Sequence, residues 1–246
     1  MSGVVIWETM RRHSANLVIV LFAVITAGVG ALVGGLSGPA RAWHTFIILF
    51  SILLGAQLIG PEFSSGTLQL ILARPINRAV YLISRVLGVA CVLWVCIAVT
   101  FALDAGGRLW IADRGDPQWG TLAGAAVALA IYVLHVCSTL AFFGTFTRSY
   151  YNAGLYLVLQ AFIAMLISTV GSIMSGAFSD LRRLTAFFKE NPSILQALRA
   201  IERNVFPSLA PDLSRDWALL VLSNSLVLLF LACVLFRRRE VPYGAD

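Results

Sequence analysis

The stretch VLGVACVLWVCIAVTFAL, residues 86–103, runs without a charge between Arg85 and Asp104. A helix needs about 20 mostly apolar residues to cross the hydrocarbon core of a bilayer. The stretch shows no period-two alternation, which argues against a transmembrane barrel strand. In lipid a helix is the remaining solution, because it satisfies its own backbone polar groups. Five further charge-free windows flank it: Ala15–Leu36, Trp43–Gly60, Trp119–Thr147, Ser149–Gly176 and Trp217–Phe236. Together they predict an all-α integral membrane protein of six transmembrane helices. The spans are placed at about 15–36, 43–60, 80–103, 119–146, 153–176 and 217–236, within a single domain over 1–246 that has no linker.

Composition agrees with that reading. Of 246 residues, 59% are hydrophobic and 12% charged, and the mean hydropathy is +0.86. Soluble domains carry about 45–50% apolar and about 25% charged residues. So little charge argues against a cytosolic enzyme, a disordered chain and a nucleic-acid-binding domain. The 18 basic and 12 acidic residues give +6, and all the basic residues but Lys189 are arginines.

Orientation follows from which short flanks carry arginine. With the N-terminus inside, one side holds Arg11, Arg12, Arg74, Arg78, Arg85, Arg148, Arg237, Arg238 and Arg239 against four acidic residues. The other side holds nine basic and eight acidic residues, and six of those nine basic residues lie in one long loop. Both termini are therefore expected in the cytoplasm, in a cell (cytoplasmic or inner) membrane. Ala40-Arg41-Ala42 mimics a signal-peptide cleavage site, but a signal h-region spans only about 7–15 residues. The first apolar run exceeds that and reads as a retained helix. Cys91, Cys96, Cys137 and Cys233 all fall within the spans, so neither a disulfide nor a metal site is implied.

Two segments outside the spans carry a pattern. Residues 3–13 combine Val4, Val5, Trp7 and Met10 with Glu8, Arg11 and Arg12. They suit a short helix at the membrane interface or, equally, a frayed tail that supplies a positive-inside signal. In the loop 177–216, Asn191-Pro192 forms an N-cap followed by proline at the first helical position. Ile194, Leu195, Leu198, Ile201 and Val205 then recur at helical spacing, and residues 179–190 read similarly. This predicts short amphipathic helices before the last span.

The most informative stretch outside the spans is GPEFSSGTLQLILARPINR, residues 60–78. Pro61 disrupts the end of the second span and leaves Glu62 at the membrane boundary. Thr67 is an N-cap for a short helix, Leu68–Ala73, which Arg74-Pro75 ends because the residue before proline avoids helical geometry. Asn77 can cap the next helix, on which Arg78 and Arg85 share a face. An apolar patch of that kind below a membrane marks a docking site for another protein.

This stretch resembles the permease subunits of ABC transporters of the ABC-2 type. In that family a Glu after the second span is followed by Gly-Thr-Leu, a Leu-rich turn, Arg-Pro and a further Arg. Those positions are held here by Glu62, Gly66, Thr67, Leu68, Leu70, Leu72, Arg74, Pro75 and Arg78. The motif covers about twenty residues, and the outline of spans and loops agrees over the rest. The resemblance implies an export-type membrane subunit that pairs with a second permease copy or paralogue and binds a separate cytoplasmic ABC ATPase. It also implies that the helix around Thr67–Ala73 couples the two and that Glu62 lies near the gate. ATP would be used by the partner, with no cofactor bound by this chain. Independently, a Walker loop needs G-x-x-x-x-G-K-[ST], and the one lysine, Lys189, follows Phe188. The chain is not expected to be an ATPase or any other enzyme.

Polar groups inside the spans are functional candidates by default. Arg85 lies near one end of its span and can snorkel to headgroups. His135, Gln57, Gln160 and Asn224 read more simply as hydrogen-bonding glue between helices than as substrate contacts. Gly30 and Gly34 allow close helix packing, within the bundle or across a dimer. Asp104-Ala105-Gly106-Gly107-Arg108 reads as a solvated turn. The competing functions are a non-transporting membrane anchor or assembly factor and an ATP-independent secondary transporter. The latter is disfavoured by the shortage of midplane charge and of an evident inverted repeat. The topology is checked with single cysteines at Ser2 and Ser193 in a background lacking the native four. They should label from opposite sides of the membrane, and labelling of both from outside whole cells refutes the six-span arrangement.

Overall fold

The computed structural model describes residues 2–14, 16–35, 43–59, 62, 77–110, 119–147, 151–174, 193, 196, 197 and 215–238. Its elements are α1 (Ser2–Ser14), α2 (Leu17–Gly35), α3 (His44–Ala56), α4 (Arg78–Trp110), α5 (Trp119–Gly144), α6 (Tyr151–Met174) and α7 (Arg215–Arg238). No strand occurs among the described residues, so the chain is all-helical there. Four helices, α4 to α7, are long and apolar enough to cross a membrane. Two shorter apolar stretches, Ile19–Leu32 within α2 and His44–Ala56, fall where the first two spans are expected. The coupling helix Leu68–Ala73 lies outside the described residues, as does most of the loop 177–216.

Helix ends follow from local chemistry. Asn77 caps α4 as its sequence position predicts, its Oδ1 accepting the Ala79 N–H at 3.0 Å. Helix α3 closes early because the Gln57 and Leu58 amides bond three residues back, to Leu54 and Gly55 at 3.0 and 3.2 Å. That tightening ends a helix one turn before Pro61. One expectation is corrected here. Asp104–Arg108 form no solvated turn; α4 runs on to Trp110, and Asp104 is fully buried. The Arg108 Nε donates to Asp104 Oδ1 at 2.7 Å, an i,i+4 pair that carries the helix past its apolar part.

The chain divides into two compact units, Met1–Ala153 with Leu209–Asp246, and Gly154–Ser208. In the first, α4 is the hub and packs against α1, α2, α3, α5 and α7. Trp43, Phe50, Leu54, Leu82, Leu93 and Tyr132 are among its fully buried side chains. Asn152 is fully buried and ties α3 to α5, its Nδ2 lying 3.3 Å from the Leu140 carbonyl and 3.5 Å from that of Gly55. The second unit holds the greater part of α6, along which Leu157, Val158, Phe162 and Met165 are exposed.

Helices α2 and α4 approach closely at Gly30. A Cβ built there would lie 2.6 Å from Thr100 Cγ2 and 2.9 Å from the Thr100 carbonyl oxygen. The backbone oxygen cannot move aside, so Gly30 serves packing inside this unit. Gly28, on the same helix, meets nothing within 4 Å. Gly30→Val should therefore cost about 1–3 kcal/mol through overpacking, while Gly28→Val stays within about 0.5 kcal/mol. Thermal unfolding in detergent separates the two, and equal shifts would refute the close approach.

Candidate functional site

Tyr81, Arg85 and Gly88 recur along α4 at spacings of four and three, which puts them on one face of the helix. That face receives two separate pieces of chain. From the segment after α3 comes Glu62, and from α1 come Thr9 and His13; all three are buried. The Tyr81 hydroxyl donates to Glu62 Oε2 at 2.5 Å, and Arg85 Nη2 donates to Glu62 Oε1 at 2.5 Å. The Arg85 Nη1 donates to Thr9 Oγ1 at 3.2 Å, and that hydroxyl donates to the Val5 carbonyl at 2.7 Å. Gly88 leaves room for this approach, because a Cβ there would lie 2.8 Å from Thr9 Cβ.

The outer edge of the cluster is set by Arg12. Its Nη1 stands 3.9 Å from Glu62 Oε1, while its Nε donates to Glu8 Oε1 at 3.3 Å. Arg12 is more than half exposed, whereas the side chains of Glu62 and Arg85 are only 8% and 7% exposed. The Glu62–Arg85 pair is therefore the buried one, and the Arg12 contacts are screened by water. His13 lies beside it, its Nδ1 donating to the Thr9 carbonyl at 2.7 Å. Burial pushes its imidazole below the ordinary 6.5, the bond to Thr9 opposes that shift, and Arg85 and Arg12 add to it. The ring is thus held neutral near neutral pH, and its Nε2 finds no partner among the described residues.

A second buried carboxylate lies on α4, nineteen residues beyond Arg85. Asp104 accepts from Trp43 Nε1 at 3.0 Å on Oδ2 and from Arg108 Nε on Oδ1, so both of its oxygens are used. Trp43 is fully buried and makes an edge contact with His44 at 4.6 Å. At 1.5 Å per residue, the two clusters stand about 28 Å apart along α4. That is close to the hydrocarbon thickness of a bilayer, about 30 Å. Each cluster pins a different part of the chain to the same helix.

The expected site residues are distributed unevenly about this geometry. Glu62 lies in the cluster and Arg78 opens α4, while Gly66, Thr67, Leu68, Leu70, Leu72, Arg74 and Pro75 fall outside the described residues. Arg85 does not snorkel; it is buried and paired, which corrects the expectation. Burial is tolerated because a carboxylate and a hydroxyl meet its guanidinium. His135 is buried on α5 with Ser225 Oγ of α7 at 3.4 Å from its Nδ1, a contact between helices. Gln160 Nε2 donates to Tyr156 Oη within α6 at 3.1 Å. Gln57 caps the end of α3 through its backbone, and the Asn224 side-chain nitrogen finds no partner among the described residues. The sequence reading missed Thr9, Tyr81, Trp43, Asp104 and Asn152. For Tyr81 the four-residue spacing to Arg85 was the available signal.

No group of three metal-ligating side chains occurs among the described residues. Through one ion pair the geometry joins three parts of the chain: Glu62 after α3, Arg85 on α4 and Thr9 on α1. Breaking such a pair by removing one partner costs about 3–5 kcal/mol, because the other charge stays buried. Glu62→Leu and Arg85→Leu should each destabilise by that amount, and the double variant should cost clearly less than their sum. Denaturation of the three variants in detergent measures the interaction energy, and simple additivity would show that the pair does not act as a unit.

Residues 40–241 match the model of a family described as a protein of unknown function, DUF2705. No curated protein matches the chain.

Proposed function

The chain belongs to the DUF2705 family, and we propose that this member is the membrane-spanning permease subunit of an ATP-driven exporter of the ABC-2 type. In this reading the four long helices, together with α2 and α3, make six spans with both termini in the cytoplasm of a cell membrane. The segment 63–76 faces a separate ABC ATPase there, and a second permease copy or paralogue completes the transporter.

One observation carries the proposal. Both ends of the segment 63–76 are tied to the same helix: Glu62 is bonded to Tyr81 and Arg85, and Asn77 caps α4. A load applied to that segment would pass directly into α4, and through Arg85 into α1. The pattern that resembles ABC-2 permeases starts at Glu62 and continues through this segment as Gly66-Thr67-Leu68 and Arg74-Pro75. The single lysine, Lys189, forms no Walker motif, which leaves ATP to the partner. Glu62 is then the residue that transmits the load.

The test is affinity purification of the tagged chain from its native membrane. Wild type should bring down a Walker-motif ATPase, and Leu70→Asp with Leu72→Asp should lose it while still inserting. Glu62→Gln should keep the ATPase bound but weaken stimulation of its hydrolysis in reconstituted vesicles. Absence of any Walker-motif protein beside the wild type would overturn the proposal. Copurification with equal stimulation in wild type and Glu62→Gln would leave the chain as an anchor for its partner.

A further inference from the structure

With Thr9 and His13 turned toward α4, α1 leaves Trp7 67% exposed on its outer side. There α1, α2 and α4 enclose a groove of about 500 Å³. Its walls are aliphatic: Ala23 and Ala27 from α2, Val95 and Val99 from α4. At one end stand Trp7 and Arg11, and among the described residues of the lining Arg11 is the charged one. The α2 lining runs from Ile19 to Ala27 and the α4 lining from Val92 to Val99. At 1.5 Å per residue the slot is about 10–12 Å deep. It starts at the end of α4 that holds Arg85 and reaches into the apolar span.

The occupant must satisfy two different ends. Along Ala23, Ala27, Val95 and Val99 it can make no hydrogen bond to a side chain and must be apolar. At the mouth it meets a guanidinium and an indole, the pair that marks headgroup level in membrane proteins. The last turn of α1 carries Arg11 and Arg12, and His13 is held neutral rather than adding a third charge. A flexible chain bearing an anionic head fits both ends. We propose that this groove is a binding site for one anionic phospholipid, whose acyl chain lies against Ala23 and Ala27 and whose phosphate meets Arg11. The bound lipid then fills the gap between α1, α2 and α4, further along α4 than the Glu62–Arg85 pair.

The experiment is native mass spectrometry of the delipidated full chain in detergent, titrated with phosphatidylglycerol and with phosphatidylcholine of matched chains. Wild type should hold one phosphatidylglycerol with about a fivefold preference over phosphatidylcholine, the effect of one basic residue near an anionic headgroup. Arg11→Gln should bring that preference to about unity, while Arg237→Gln, an equal loss of charge on α7, should leave it unchanged. Ala27→Trp, or Ala23→Met if the first variant unfolds, should fill the slot and lower occupancy for both lipids. Equal retention of the two lipids by wild type overturns the proposal. So does an equal effect of Arg11→Gln and Arg237→Gln, which would indicate surface charge alone, or wild-type occupancy in a folded groove-filling variant.

Discussion

A carboxylate taken out of water must bring its counter-charge with it, and Glu62 does so by meeting Arg85 and Tyr81 at once. The constraint propagates outward. Arg85 uses one terminal nitrogen on Glu62 and the other on Thr9, so helix α1 hangs from the same guanidinium that neutralises Glu62. Gly88, one turn further on, has no side chain because α1 occupies that space. Burial beside this pair disfavours the charged form of His13, and the nearby Arg85 adds to that effect. Four separate residue choices on two helices thus follow from one ion pair.

The division between what was legible and what was not follows sequence separation. The apolar windows announced the helices because a bilayer imposes a length and a composition that any reader can count. The Asn77 cap was legible for the same local reason, since its partner is two residues away. Glu62 offered three arginines in reach by sequence, Arg74, Arg78 and Arg85, and only packing chooses among them. Asp104 misled because Gly106-Gly107 beside it suggests a turn, whereas the partner that decides its burial, Trp43, is 61 residues away. His135 meets Ser225 across 90 residues, so its hydrogen bond between helices was a reasonable reading without a nameable partner.

Both buried carboxylates are also built alike. Each accepts hydrogen bonds from an arginine and from an aromatic donor, the Tyr81 hydroxyl at one end of α4 and the Trp43 indole at the other. Aromatic rings with a polar edge suit a boundary where one side is apolar and the other wet. Each arrangement satisfies the carboxylate without exposing it. An ion pair alone would gain little over a hydrophobic substitute, but an ion pair that also fixes where a distant segment lands specifies the packing of that segment.

The fixed interval between the two clamps has a consequence for the membrane itself. A lone helix in a bilayer that is too thin or too thick relieves the mismatch by tilting or sliding. Helix α4 is fastened at one clamp to Glu62 and α1 and at the other to Trp43, so sliding would break buried charge contacts at one end or the other. Mismatch would then be met by the clamped helices tilting together or by the lipid around them, and not by α4 shifting past its neighbours.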